Sequence, residues 1–172
     1  MLTGARDVGT ISDVMEFRAV ELPPEVSGSL LLSDMPGRFE PWSAFEARAR
    51  TAALQLVVCL TPRTEIEQLS PSYHTAVVQG TVPFRWLCLP MRNFGLPEDP
   101  AAFRAGVKQI ADALRGGDVV MLHCAAGLGR TGSTAACVLK ALGLDPSEAL
   151  QRVRAAGSNP QNASQAGFVH WF

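Results

Sequence analysis

The run Val119-Val-Met-Leu-His-Cys-Ala-Ala-Gly-Leu-Gly-Arg-Thr-Gly132 constrains this chain more than any other stretch of it. Val119 to Leu122 is a row of apolar strand formers, bounded upstream by Gly116, Gly117 and Asp118. From about Arg130 to about Leu142 the pattern is helical, and between the two lie small residues and two glycines, Gly127 and Gly129, which can take positive φ. A strand that turns into a helix through such a loop is the βα unit of a layered α/β protein.

The loop also carries chemistry. Five residues separate Cys124 from Arg130, enough for the backbone to curl into a cup. The N–H groups of Ala125, Ala126, Gly127, Leu128, Gly129 and Arg130 would then face inward. Such a cup binds an oxyanion, and the helix that follows adds the positive end of its dipole. The Arg130 guanidinium can grip two phosphate oxygens in a planar fork that lysine cannot reproduce. Cys124 then lies beneath the bound phosphorus, where the same N–H groups and dipole favour thiolate over thiol. The Thr131 hydroxyl is placed to donate to that sulfur, and His123 to hydrogen-bond loop carbonyls.

The rest of the chain supplies the layers. Phe17 to Val20, Ser29 to Leu32, Leu56 to Leu60 and Phe84 to Leu87 join Val119 to Leu122 as five strands. Trp42, Phe45 and Ala49 mark one helix; Phe103, Val107, Ile110 and Leu114 mark another, with Asp99 and Pro100 as its cap and first residue. Asp145, Pro146 and Glu148 read as cap, first position and capping-box acid of a further helix that Gly157 ends. Asn159 and Pro160 read as the start of a last one, carrying Phe168, Val169, Trp171 and Phe172. The pattern predicts an α/β fold, a central mostly parallel five-stranded sheet flanked by helices. Residues 1–14 lack a period and read as an N-terminal tail, which leaves residues 15–172 as a single domain.

Composition excludes several classes. With 47% apolar and 18% charged residues the chain has enough apolar side chain to repay the ordering entropy of a compact fold. A formal net charge of -1, with no long run of one sign, predicts neither nucleic-acid binding nor a membrane surface. The N-terminus lacks the apolar core of a secretory signal, and the longest apolar stretch, Ala135 to Leu144, is interrupted by Lys140, so a cytoplasmic protein with no membrane insertion is expected. The four cysteines, 59, 88, 124 and 137, form no CxxC pair and no cluster with His at metal spacing, so no metal site is expected.

The segment His123-Cys-Ala-Ala-Gly-Leu-Gly-Arg-Thr-Gly132 resembles the HCxxGxxR(S/T)G signature of the cysteine-dependent protein tyrosine phosphatase superfamily. Leu32-Ser-Asp-Met-Pro-Gly37, Val57-Val-Cys-Leu-Thr-Pro-Arg-Thr-Glu65 and Asn93-Phe-Gly-Leu-Pro97 are similar to stretches of the small dual-specificity type that binds cyclin-dependent kinases, so the resemblance covers residues 26–172. It implies the protein tyrosine phosphatase-like fold and a two-step reaction on phosphotyrosine in proteins, and on phosphoserine or phosphothreonine, through a phosphate ester on Cys124. It implies no cofactor, and as partners a phosphorylated protein or peptide and a kinase. Related phosphoinositide enzymes place lysines in the loop, whereas Ala125, Ala126 and Leu128 offer none. A cysteine like Cys59 forms a reversible disulfide with the nucleophile in one such relative; its other reading, shared with Cys88 and Cys137, is a small buried apolar residue.

The chain departs from the family at one telling place. Where relatives carry the aspartate that protonates the leaving oxygen, this sequence reads Met91-Arg-Asn-Phe-Gly-Leu-Pro97, with Asn93 at the acid's position. An amide hydrogen-bonds but gives no proton at neutral pH. General acid catalysis is typically worth ~10² to 10⁴-fold. Three readings stand: Glu98 or Asp99 takes over as acid; the protein turns over slowly or only with good leaving groups; or the amide is a change that traps substrate, making the chain a pseudophosphatase or phosphoprotein-binding module. Gln161, with Gln165 one helical turn on, resembles the glutamine pair that positions hydrolytic water in larger relatives, or is a polar helix face.

Overall fold

The structure, a computed structural model, describes residues 17–92, 95–160 and 162–172. The tail at 1–14, Asn93 and Gln161 lie outside the described residues.

The strands form where the apolar runs placed them: β1 (Arg18–Val20), β2 (Ser29–Ser33), β3 (Leu56–Cys59), β4 (Arg85–Cys88) and β5 (Val119–His123). Their order is β1-β2-β5-β3-β4, with β1 antiparallel to β2 and the other pairings parallel. Because side chains alternate along a strand, neighbouring residues serve different cores. Leu30, Leu32, Leu56, Val58, Val120 and Leu122 enter the larger core on one face, while Val57 and Met121 enter a smaller one on the other.

The helices are α1 (Trp42–Thr51), α2 (Arg63–Leu69), α3 (Pro71–Gln79), α4 (Pro100–Arg115), α5 (Gly129–Ala141), α6 (Pro146–Ala155) and α7 (Ala163–Trp171). The stripe Phe103, Val107, Ile110 and Leu114 of α4 is buried as its spacing requires, and burying side chains of this kind is worth about 1.5–3 kcal/mol each. α5 is buried from Gly129 through Leu139, packed between the sheet and α4, α6 and α7. Its small residues permit the close approach: a Cβ at Gly132 would lie 2.7 Å from the Asn159 nitrogen.

Several local expectations change. α2 and α3 carry no long apolar period and were not anticipated, although Pro62 and Pro71 each sit at a helix start, where proline is tolerated. The last helix starts later than expected, at Ala163, because the Asn162 side chain accepts the Gln165 N–H at 2.9 Å; Asn159 instead accepts from Arg154. Asp145 caps α6 as expected, but the Glu148 carboxylate accepts from Arg152 at 2.6 Å, one turn along, rather than serving a capping box. Positive φ falls on Gly127, at 72°, whereas Gly129 is the first residue of α5.

Candidate active site

The site forms where β5 ends. Alternation along the strand sends Leu122 and Cys124 toward the α5 side and His123 to the opposite face. His123 is fully buried, and its two ring nitrogens close a directed chain of hydrogen bonds. Trp86 Nε1–H, which can only donate, bonds the Tyr73 hydroxyl at 2.7 Å, and that hydroxyl meets His123 Nε2 at 2.8 Å. The other nitrogen, Nδ1, lies 3.1 Å from the Cys124 carbonyl oxygen, which can only accept. The ring is therefore the Nδ1–H tautomer, with Nε2 accepting from Tyr73. Burial pushes its pKa down to about 4, so the imidazole stays neutral and holds the Cys124 backbone.

Cys124 begins the loop and is itself buried. Its sulfur accepts hydrogen bonds from the Gly127 N–H at 3.2 Å and the Thr131 hydroxyl at 3.0 Å. Both donors are of the kind an anionic sulfur requires. The loop then runs directly into α5, so the positive end of that helix faces the same cup. Ala126 and Leu128 expose their side chains at its rim, and neither brings a charge.

Arg130 is 2% exposed and is held on two sides. Glu65, from the first turn of α2, takes the end of its guanidinium, accepting from Nη1 at 3.3 Å and from Nη2 at 2.8 Å. The Met91 carbonyl accepts from Nη1 at 3.0 Å. Of the five N–H donors of an arginine, these contacts leave Nε–H and the second Nη2–H, which share one edge. That edge is the planar fork a phosphate takes up in bidentate fashion.

Met91, whose carbonyl meets this arginine, opens the stretch that leads to the cap of α4. Met91 and Pro97 form an isolated bridge, and Gln165 from α7 donates to the Gly95 carbonyl at 3.4 Å. Gln165 is thus buried as a tie between α7 and this segment. Glu98 and Asp99 are exposed; the Asp99 carboxylate accepts the Ala102 N–H at 3.0 Å as the cap of α4.

The cysteines divide between the two faces. Cys59 pairs in register with Cys88 across β3 and β4, and both sulfurs bond the Thr61 carbonyl, at 3.5 and 3.6 Å. Burial pushes the Cys59 thiol up, while the hydrogen bond from Cys59 lowers Cys88. In the sheet Cys59 lies between Cys88 of β4 and His123 of β5, the residue before Cys124. Cys137 on α5 is a buried thiol pushed up to about 12 by desolvation.

Sequence reasoning missed the residues that support the loop from outside. Glu65 lay in a stretch that resembled the family, yet no spacing tied it to Arg130, 65 residues away. Arg18 on β1, Arg38 after β2 and Ser158 after α6 all donate to loop carbonyls. The signal for Arg18 was its place inside the apolar run Phe17 to Val20, where a charge is out of pattern.

Comparison with known proteins agrees with this geometry. The chain is similar to the solved structure of kinase associated phosphatase with its catalytic-site cysteine replaced by serine, at 19% identity over 90% of this chain and 92% of that one, with a TM-score of 0.79. It is similar to PTPMT1 at 18% identity, 91% and 92% coverage and a TM-score of 0.68. It is also similar to the core catalytic domain of the PP-IP phosphatase SIW14 from S. cerevisiae, at 15% identity, 89% and 88% coverage and a TM-score of 0.61. At such identities the likeness is one of fold. No curated protein sequence matches the chain. Residues 35–167, from the turn after β2 through most of α7, match the family described as PTP-SAK, Swiss Army Knife protein, DSP-PTPase phosphatase domain, and the chain belongs to that phosphatase family.

Proposed function

We propose that the protein hydrolyses phosphotyrosine, and with it phosphoserine or phosphothreonine, in proteins through a phosphate ester on Cys124. The observation that carries this reading is the pair of donors on the Cys124 sulfur beside the free edge of Arg130. The sulfur attacks phosphorus, the bond to the substrate oxygen breaks, and the loop N–H groups and Arg130 hold the three remaining oxygens. Water then attacks the same phosphorus, and the sulfur leaves as thiolate, steadied by the Thr131 hydroxyl. No step requires a metal or cofactor.

The departing substrate oxygen needs a proton, and Asn93 has none to give. Asp99 already caps α4, whereas Glu98 has no side-chain hydrogen bond among the described residues, so Glu98 is the better proton donor of the two. Gln161 is assigned the orientation of the hydrolytic water on its resemblance alone. A protein substrate is favoured over a phosphoinositide because the loop positions Ala125, Ala126 and Leu128 carry no cation for additional ring phosphates. The similarity to a kinase associated phosphatase supports a phosphorylated protein, a kinase among them, as partner. The cytoplasm is the proposed compartment; no helix among the described residues is long and apolar enough to cross a membrane.

The second reading, favoured by the amide at position 93, is a binding module that holds phosphoprotein without releasing phosphate. The pH dependence of kcat for a phosphotyrosyl peptide separates the two, because the phenolic leaving group needs protonation more than p-nitrophenol does. A bell with a basic limb that Glu98→Gln removes establishes the phosphatase and its acid. Turnover near zero at every pH, with the peptide still bound, establishes the binding module.

A further inference from the structure

We infer that Arg18, with Ser158, and Arg38 are positioning residues that create the oxyanion cup by pinning alternate carbonyls of the loop from outside. The inference rests on the oxyanion-binding reading above and concerns what makes that cup bind.

The loop between Cys124 and Arg130, four small residues and the exposed Leu128, has no polar side chain of its own to fix its peptide planes. The Ala125 carbonyl accepts from Arg38 Nη1 at 2.9 Å and from the Met35 N–H at 3.3 Å. Two residues on, the Gly127 carbonyl accepts from Arg18 Nη2 at 2.6 Å and from the Ser158 hydroxyl at 2.6 Å. Arg18 is braced in turn: its Nη1 donates to Ser158 Oγ at 2.8 Å and to the Ala156 carbonyl at 3.1 Å.

In a trans peptide the C=O of one residue and the N–H of the next point in opposite directions. Pinning the Ala125 and Gly127 carbonyls outward therefore turns the N–H groups of Ala126 and Leu128 inward, toward the ligand. The intervening N–H, of Gly127, is aimed at the Cys124 sulfur. Without the outer donors those carbonyls would be free to rotate toward the cup, where their negative ends would repel a phosphate. Oxyanion sites owe their strength to donors that need no reorganisation on binding.

Two further observations fit. Gly127 takes φ 72°, and a Cβ there would lie 2.8 Å from Arg18 Nη2 and 2.5 Å from the Ser33 oxygen, so the loop is seated on its anchor with no room to shift. Partial burial lowers the pKa of Arg18, opposed by the neighbouring Asp34 and Cys124. One of these anchors comes from the first strand and one from the turn after the second, so the antiparallel edge of the sheet serves the site at the end of β5.

The test is calorimetric titration of the protein with inorganic tungstate, beside kcat and KM for p-nitrophenyl phosphate and the thermal midpoint. Arg18→Ala and Arg38→Ala should each weaken tungstate about tenfold or more and lower kcat/KM in parallel. Arg18→Lys, which can restore one donor to Gly127, should recover part of the loss. Arg152→Ala is the control: it removes the bonds from Arg152 to the Glu21 carbonyl and Glu148 without touching the loop, and should leave tungstate affinity unchanged. Tungstate binding within twofold of wild type in Arg18→Ala and Arg38→Ala overturns the inference. Should Arg18→Ala fail to fold, Arg38→Ala and Ser158→Ala decide by the same criterion. A wild-type protein that binds no tungstate at all overturns the oxyanion reading instead, so the two failures are distinct.

Discussion

The loop from Cys124 to Arg130 and the described ends of the segment from Met91 to Asp99 are built on opposite principles, although the Met91 carbonyl bonds Arg130. Cys124, Arg130 and Thr131 are buried, and each is held by partners within the protein, with one edge of Arg130 left to face a ligand. The other segment ends in two exposed carboxyl groups, one already spent on capping a helix, and carries an amide where relatives carry an acid. A buried polar group must be satisfied, so its geometry is fixed by the fold. An exposed one is satisfied by water and constrains little. In the reaction proposed above, binding and nucleophilic attack fall to the first region and protonation of the leaving group to the second.

The largest effect that tests this division is Cys124→Ser. Turnover should fall by about 10⁴-fold or more, while affinity for a phosphotyrosyl peptide stays within a few fold, because the loop N–H groups and Arg130 remain. Equal loss of both would mean that the sulfur is part of binding and the regions are not separable. Next, Asn93→Asp should raise kcat for the phenolic substrate by about 10² to 10⁴-fold and act much less on p-nitrophenyl phosphate. Unchanged turnover on both would place the proton donor elsewhere.

A smaller effect belongs to the support beneath the loop. His123 titrates at about 4 when folded against an ordinary value near 6.5, so the unfolded chain binds the extra proton between those pH values. Its contribution is fully present above about pH 6.5 and is lost as pH falls toward 4, by about 3 kcal/mol at most. Thermal midpoints measured from pH 7 to pH 4.5 should fall less steeply in His123→Asn than in the wild type; equal slopes would show that other groups dominate acid unfolding. The smallest effect separates cap from acid at Asp99. Asp99→Asn keeps a good capping side chain and removes the proton, so it should leave both the thermal midpoint and kcat near wild type. Asp99→Ala should cost about 1 kcal/mol of stability. A fall of about 10²-fold in kcat with Asp99→Asn would make this residue the acid.

Much of this was legible before any coordinates. The apolar runs gave all five strands, the Phe103 to Leu114 stripe gave α4, and Asp99 and Asp145 proved to be the caps their neighbours implied. Each is a local rule, since a strand's apolar alternation or a cap three residues from its N–H is written in adjacent residues. The short helices α2 and α3 escaped because seven and nine residues hold too few turns to show a period. The start of α7 was misplaced because an Asn159-Pro160 pair and Asn162 offer competing caps, and only packing against α5 chooses.

By itself the sequence determined that a strand would deliver a cysteine into a glycine loop and a helix, with an arginine at phosphate-binding distance along the chain. Those features depend on backbone freedom and residue order over a dozen positions. Only the tertiary structure decided which edge of Arg130 stays available, because that follows from Glu65 on a separate helix. It also decided that Arg18, 109 residues from Gly127, grips the loop from behind, and that His123 is neutral and tied to Tyr73 and Trp86. Such contacts join residues that share no local pattern; their geometry is set where strand order and burial bring them together.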